Sequence, residues 1–138
     1  AKYHHGFWRP VTAIRNGDAD GHDATVRDAA WVPLIDNPMH PEYPSAHSIL
    51  AAAVGTVLDA ETGRGPLPVL STTSPTAQGA TRRWTHVEDF IREVADARVW
   101  EGVHFRFSTE TGVAMGRQIG RLAAERLLAA EPVVGAAR

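Results

Sequence analysis

The chain has 138 residues, 43% hydrophobic and 22% charged, the balance of one soluble domain able to bury its own core or a large share of one. A net charge of -2 excludes a general binder of nucleic acid or of anionic membranes, which needs an excess of Lys and Arg, and no stretch reaches the roughly 18 apolar residues of a membrane span. Without cysteine there is no disulfide framework and no thiolate metal site, and the N-terminus lacks the charged-then-apolar order of a signal peptide, so the compartment stays open.

Residues Lys2 to Ile14 read as helical, with Pro10 as a kink or as the first residue of a second helical piece. The start is abrupt, with no capping residue and with aromatics already in place, as in a helix entered partway. It reads as part of a longer protein whose N-terminal helices are missing. Asn16-Gly17-Asp18 ends this element. From Asp18 to Tyr43 the run is rich in Asp, Pro, Asn and His, with a short helix expected at Asp23 to Trp31 and prolines 33, 38, 41 and 44 keeping the backbone extended.

Pro44-Ser45-Ala46-His47 marks the junction of this proline-rich loop with an alanine-rich apolar run. Ser45 is a natural N-cap, and the free N–H groups of the first turn behind it, at the positive end of the helix dipole, favour an anion. His47 adds a proton donor or acceptor in the same turn. The helix extends to about Glu61, stopped by Gly63, and its small residues Ala46, Ala53 and Gly55 suit close packing.

Gly63 to Arg83 reads as a long loop with at most a short strand at Leu67 to Leu70. Thr85-His86-Val87-Glu88 has the form of a capping box opening a helix to about Val99, with Arg98 in its last turn. Beyond Trp100-Glu101-Gly102, the stretch Val103 to Phe107 leads to Ser108, read as the N-cap of a final helix from Thr109 to Ala130. There Gly112, Gly116 and Gly120 form a smooth stripe for helix contact, and the tail after Pro132 is expected to fray. The fold class is all-α, one helical domain over residues 1–138.

Lys2 and Arg9, seven residues apart, would share one face of a continuous helix and together grip an anion. Arg98 and His104 are separated by a helix end and a glycine turn that can bring a fork of donors and an imidazole to one place.

In order and spacing, Lys2-x6-Arg9-Pro10, Pro44-Ser45-Ala46-His47 and Arg98-x5-His104 resemble the tripartite motif shared by vanadium-dependent haloperoxidases and the type-2 phosphatidic acid phosphatase superfamily, which includes bacterial acid phosphatases. The similarity spans residues 2 to 108, and Gly102 to Phe107 looks most like the soluble haloperoxidase branch. The resemblance implies a helical bundle of that type and a phosphate- or vanadate-shaped site. Lys2, Arg9 and Arg98 would supply its charge, and Ser45 with the backbone amide of Ala46 further hydrogen bonds. It also implies that His104 is the apical group, bonded to vanadium in a peroxidase or nucleophilic in a phosphatase, and that His47 is the acid and base opposite.

Two positions depart from the family pattern. Ala46 stands where the family usually has Gly, a change that keeps the amide. Ser108 stands where it commonly has Asp, a carboxylate that can orient the imidazole; Glu110, a backbone carbonyl or water are the expected substitutes. His4, His5 and His40 lack metal-ligand spacing and read as surface residues. Asp18, Asp20, Asp23 and Asp28 read as a solvated loop and not a calcium site, and Trp8, Trp31, Trp84 and Trp100 read as core.

The expectation is a vanadate-dependent haloperoxidase-like enzyme oxidising halide with hydrogen peroxide. The alternatives are a metal-independent phosphomonoesterase acting through phosphohistidine, and a non-catalytic helical fragment that binds phosphate or a partner chain. The expected partners are small molecules, not nucleic acid or membrane. A homodimer or a missing N-terminal segment would cover an exposed apolar face.

Overall fold

A computed structural model describes residues 1–63, 65–66 and 70–128. In chain order the elements are α1 (Lys2–His5), α2 (Pro10–Arg15), α3 (Ala46–Thr62), the strands β1 (Leu70–Thr73) and β2 (Thr81–Trp84), α4 (Val87–Trp100) and α5 (Arg106–Leu128), with short 3-10 turns at Gly17–Ala19 and Pro75–Ala77.

The centre is a bundle of α3, α4 and α5, and the glycines fix its geometry. A Cβ on Gly112 would lie 2.7 Å from the Ser45 carbonyl oxygen and one on Gly120 2.6 Å from that of Ala53, while one on Gly116 would overlap the Ile49 carbonyl. Both series advance together along the chain, so α3 and α5 run parallel, backbone against backbone. On another face of α3, a Cβ on Gly55 would meet Val87 at 2.6 Å and Ile91 at 2.8 Å, which sets the start of α4 against the later turns of α3 and makes α4 antiparallel. Consequently the start of α3, the end of α4 and the start of α5 share one end of the bundle. Ala52, Val87 and Ile91 form the buried centre, flanked by Leu58, Leu70, Phe90 and Val113. Leu50 and Val54 on α3 and Ile119 and Leu122 on α5 remain exposed. No helix among the described residues is long and apolar enough to cross a membrane.

Several local expectations are corrected. Lys2 to Ile14 is not one helix: Gly6, at φ 58°, ends α1 after one turn, and Arg9 is extended before Pro10, the conformation that proline imposes on its predecessor. Asp23 to Trp31 forms no helix; the Asp28 carboxylate instead accepts from the Ala30 amide at 3.0 Å, a side-chain bond that competes with helical ones. The loop before α4 contains an antiparallel hairpin, with Leu70 opposite Trp84 and Thr73 opposite Thr81, turning through Gln78 and Gly79 at positive φ. Of the expected strand at Leu67 to Leu70, only Leu70 lies within the described residues.

The capping box does not form, since His86 is the N-cap of α4 and makes no side-chain cap bond. Ser108 is not an N-cap: α5 begins at Arg106, and the Ser108 amide already donates to the Phe105 carbonyl at 3.1 Å. Ser45 does cap α3, accepting from the Ser48 amide at 3.4 Å. Of the tryptophans only Trp84 is buried, its indole N–H donating to Glu93 at 2.9 Å, whereas Trp8 and Trp100 are 52% and 70% exposed. The expected fraying after Pro132, like the end of the final helix at Ala130, lies outside the described residues.

Candidate functional site

The site lies at the bundle end where α3, α4 and α5 converge, under the loop His40 to Pro44. The Ser45 amide donates to the Ser108 carbonyl at 3.2 Å, tying the cap of α3 to the first turn of α5. Gly102, at φ 75°, turns the chain after α4 so that the Val103 and His104 amides both reach back to the Arg98 carbonyl, at 3.3 and 3.2 Å. This places Arg98 and His104 side by side. A Cβ on Gly102 would meet the Trp31 ring at 2.8 Å as well as require a left-handed backbone. Gly102→Ala is therefore expected to destabilise the fold by about 1–2 kcal/mol in urea unfolding.

Although α1 and α2 are separate, Lys2 and Arg9 converge on the same loop from different elements. Lys2 Nζ donates to the carbonyls of Pro41, Glu42 and Pro44 at 3.3, 2.8 and 2.6 Å. Buried Arg9 donates from Nε to the His40 carbonyl at 3.1 Å and from Nη1 to the Val103 carbonyl at 2.7 Å, with Nη2 3.2 Å from His40 Nδ1. Arg98 is also buried. Its Nη1 pairs with Glu101 at 2.5 Å, and its Nε has no hydrogen-bond partner among the described residues.

His104 is 3% exposed and its partner is Glu42, which is fully buried. Glu42 Oε1 lies 2.5 Å from His104 Nδ1 and accepts from the Phe105 amide at 3.2 Å. Glu42 Oε2 and the Ser108 hydroxyl are both buried without a hydrogen-bond partner among the described residues, yet the hydroxyl is close enough to act on the carboxyl's ionisation. Burial raises the Glu42 pKa, but His104, Ser108 and the Phe105 amide outweigh it and hold the carboxyl ionised, below its ordinary value. For His104, burial dominates. Together with Arg9 and Lys2 it pushes the imidazole down against the pull of Glu42, so a neutral ring donates Nδ1–H to the carboxylate. Nε2 makes no hydrogen bond with the described residues.

His47 and Ala46 are exposed at the start of α3. Partial burial first, and then the charges of Arg98, His104, Lys2 and His40, push the His47 imidazole below its ordinary value. The same mutual influence links Lys2 with Arg9 and Arg98. The seven residues expected from sequence thus gather at one end of the bundle. Sequence reasoning missed Glu42 and the half-buried His40. Glu110 is exposed, so of the expected substitutes it is not the partner of His104; a carboxylate 62 residues away in sequence is.

Three cations brought together at this end of the bundle, one with a buried N–H that has no acceptor among the described residues, give a positive charge suited to a compact oxyanion such as phosphate or vanadate, and Nε2 of a neutral imidazole adds one lone pair.

A family model described as the VCPO second helical-bundle domain matches residues 1–130. The chain belongs to this family. Its place is within the vanadium haloperoxidase and acid phosphatase superfamily. Among solved structures, the first bacterial vanadium-dependent iodoperoxidase is similar at 28% identity and a TM-score of 0.75, over 91% of this chain and 28% of that one. The holo-type bacterial vanadium-dependent chloroperoxidase is similar at 26% identity and a TM-score of 0.67, over 85% of this chain and 29% of that one. The apo-type structure of a bacterial vanadium-dependent chloroperoxidase gives 26% and 0.67, over 85% and 30%. The chain thus spans less than a third of the length of these haloperoxidases. No curated protein matches it.

Proposed function

We propose that this haloperoxidase-family domain binds vanadate and oxidises halide with hydrogen peroxide. The observation that carries the reading is the gathering of Lys2, Arg9 and Arg98 near an imidazole whose Nδ1 is taken by Glu42 and whose Nε2 has no hydrogen-bond partner among the described residues. Lys2, Arg9, Arg98, the Ser45 hydroxyl and the Ala46 amide would hold the oxyanion, with His104 Nε2 as the ligand to vanadium. When bound, vanadate supplies a Lewis-acid centre that activates peroxide toward halide.

The protein's own part is positioning and proton transfer. The cations balance the oxyanion's charge, and the neutral ring of His104 offers its lone pair without first losing a proton. His47, exposed beside the cations, takes the proton of incoming peroxide. Because its pKa lies below the ordinary histidine value, His47 is a neutral base at pH 7. Halide oxidation is then expected to hold as pH falls toward that ordinary value and to decline only below it; His47→Ala should remove that acid limb and lower kcat by about 10²–10⁴-fold, read from pH profiles of kcat.

The same cradle suits phosphate, and this supports the second reading, a phosphomonoesterase in which His104 Nε2 attacks phosphorus and His47 protonates the leaving alcohol. One paired assay separates the two. Bromination of monochlorodimedone that requires both orthovanadate and peroxide is the expected result, whereas turnover of p-nitrophenyl phosphate with no bromination would replace the first reading by the second.

A further inference from the structure

We infer that Glu42 is the positioning residue of His104, and that position 108 can take over its role. Glu42 is fully buried, with Oε1 2.5 Å from His104 Nδ1. It is also held at its own backbone: its amide donates to the Phe7 carbonyl at 3.0 Å, and its carbonyl accepts from Lys2 Nζ at 2.8 Å. With the carboxylate buried and also accepting from the Phe105 amide at 3.2 Å, Glu42 is held against the ring and fixes the proton on Nδ1. Nε2, the nitrogen turned to the oxyanion in the proposed function, is left with its lone pair. In water the opposite tautomer, with the proton on Nε2, is the commoner one, so the ring needs such a partner to present a bare Nε2.

The second part rests on Ser108. Its hydroxyl and Glu42 Oε2 are both buried with no hydrogen-bond partner among the described residues, and Ser108 is one of the groups that help hold the Glu42 carboxyl ionised. An aspartate in place of Ser108 would put a carboxylate at the same end of the ring from the first turn of α5. With Glu42 in place the two anions would repel each other; with Glu42 gone, the introduced carboxylate would face a vacated Nδ1. Only one of the two positions is to carry charge.

The consequence for oxyanion binding depends on the proposed function, whereas the tautomer of His104 does not, and the experiment reads both. In the protein labelled with 15N-histidine and free of vanadate, imidazole 15N shifts at pH 8 are expected to show His104 protonated on Nδ1. Glu42→Gln, which keeps an acceptor but not the charge, should keep that tautomer and weaken orthovanadate binding by calorimetry about 10-fold; Glu42→Leu should lose the tautomer and bind up to about 100-fold more weakly. Glu42→Leu with Ser108→Asp should regain both, and Ser108→Asp alone should bind worse than the parent. A parent His104 protonated on Nε2, or a Glu42→Leu protein that keeps tautomer and affinity, overturns the inference. If Glu42→Leu does not fold, the double variant and Glu42→Gln decide it by the same shifts. Failure of the parent to bind orthovanadate would overturn the proposed function instead and leave the shifts to judge Glu42.

Discussion

Replacing Arg98 with alanine is expected to weaken orthovanadate binding by about a hundredfold while leaving the fold nearly intact. The guanidinium is buried at the end of α4, and its Nε–H has no acceptor among the described residues, so an oxyanion in the cradle would receive a charge-assisted bond that costs no other contact. Such bonds contribute about 1.5–3 kcal/mol each, and the loss of one or two corresponds to roughly 10–100-fold or more in affinity. The structural role of Arg98 is carried by its backbone carbonyl, which accepts from the Val103 and His104 amides whatever the side chain. Glu101, which loses its ion partner, has a side chain 26% exposed and can be solvated. Arg98→Lys keeps the charge without the fork and should fall between the two, as read by calorimetry with orthovanadate and by thermal unfolding of the same samples.

Gly116→Ala is expected to lower the melting temperature, although helix propensity alone predicts a rise. In an ordinary helix interior the change gains about 1 kcal/mol. Here the new Cβ would overlap the Ile49 carbonyl and approach Ala52 Cβ to 2.7 Å and the Ala53 amide nitrogen to 3.0 Å. Two of these are backbone atoms of α3, so the helix itself must move, at a cost of about 1–3 kcal/mol or more beyond the propensity gain. A fall of about 5–15 °C by calorimetry is the expected size for a domain of this length. The change also bears on the site, because α3 carries Ser45 and His47 at its start. A melting temperature that rises instead would mean that α3 and α5 are not in backbone contact.

The three long helices were legible in sequence because their signals are local: Ser45 before an apolar run, Gly63 after it, the helical period from Val87, and glycines every fourth residue in α5. The hairpin was not. Its strands are Ser- and Thr-rich, only Leu70 and Trp84 turn inward, and the rest lies exposed, so no apolar alternation marked it. Lys2 and Arg9 do meet, but not through the shared helix face expected of them: they lie on separate elements and the loop His40 to Pro44 gathers them. Glu42 could not be read as the partner of His104 because nothing local joins residues 62 apart, and the family pattern points to position 108 for the carboxylate. A fully buried glutamate in a proline-rich loop becomes visible only once the loop is folded over α5.

The measurement that tests the central claim most directly is calorimetric titration of the vanadate-free protein with orthovanadate, repeated in excess phosphate and with Arg98→Ala and His104→Ala. One site per chain, displaced by phosphate and weakened in both variants, is the predicted result. No binding by the parent, or binding that survives both substitutions unchanged, would contradict it.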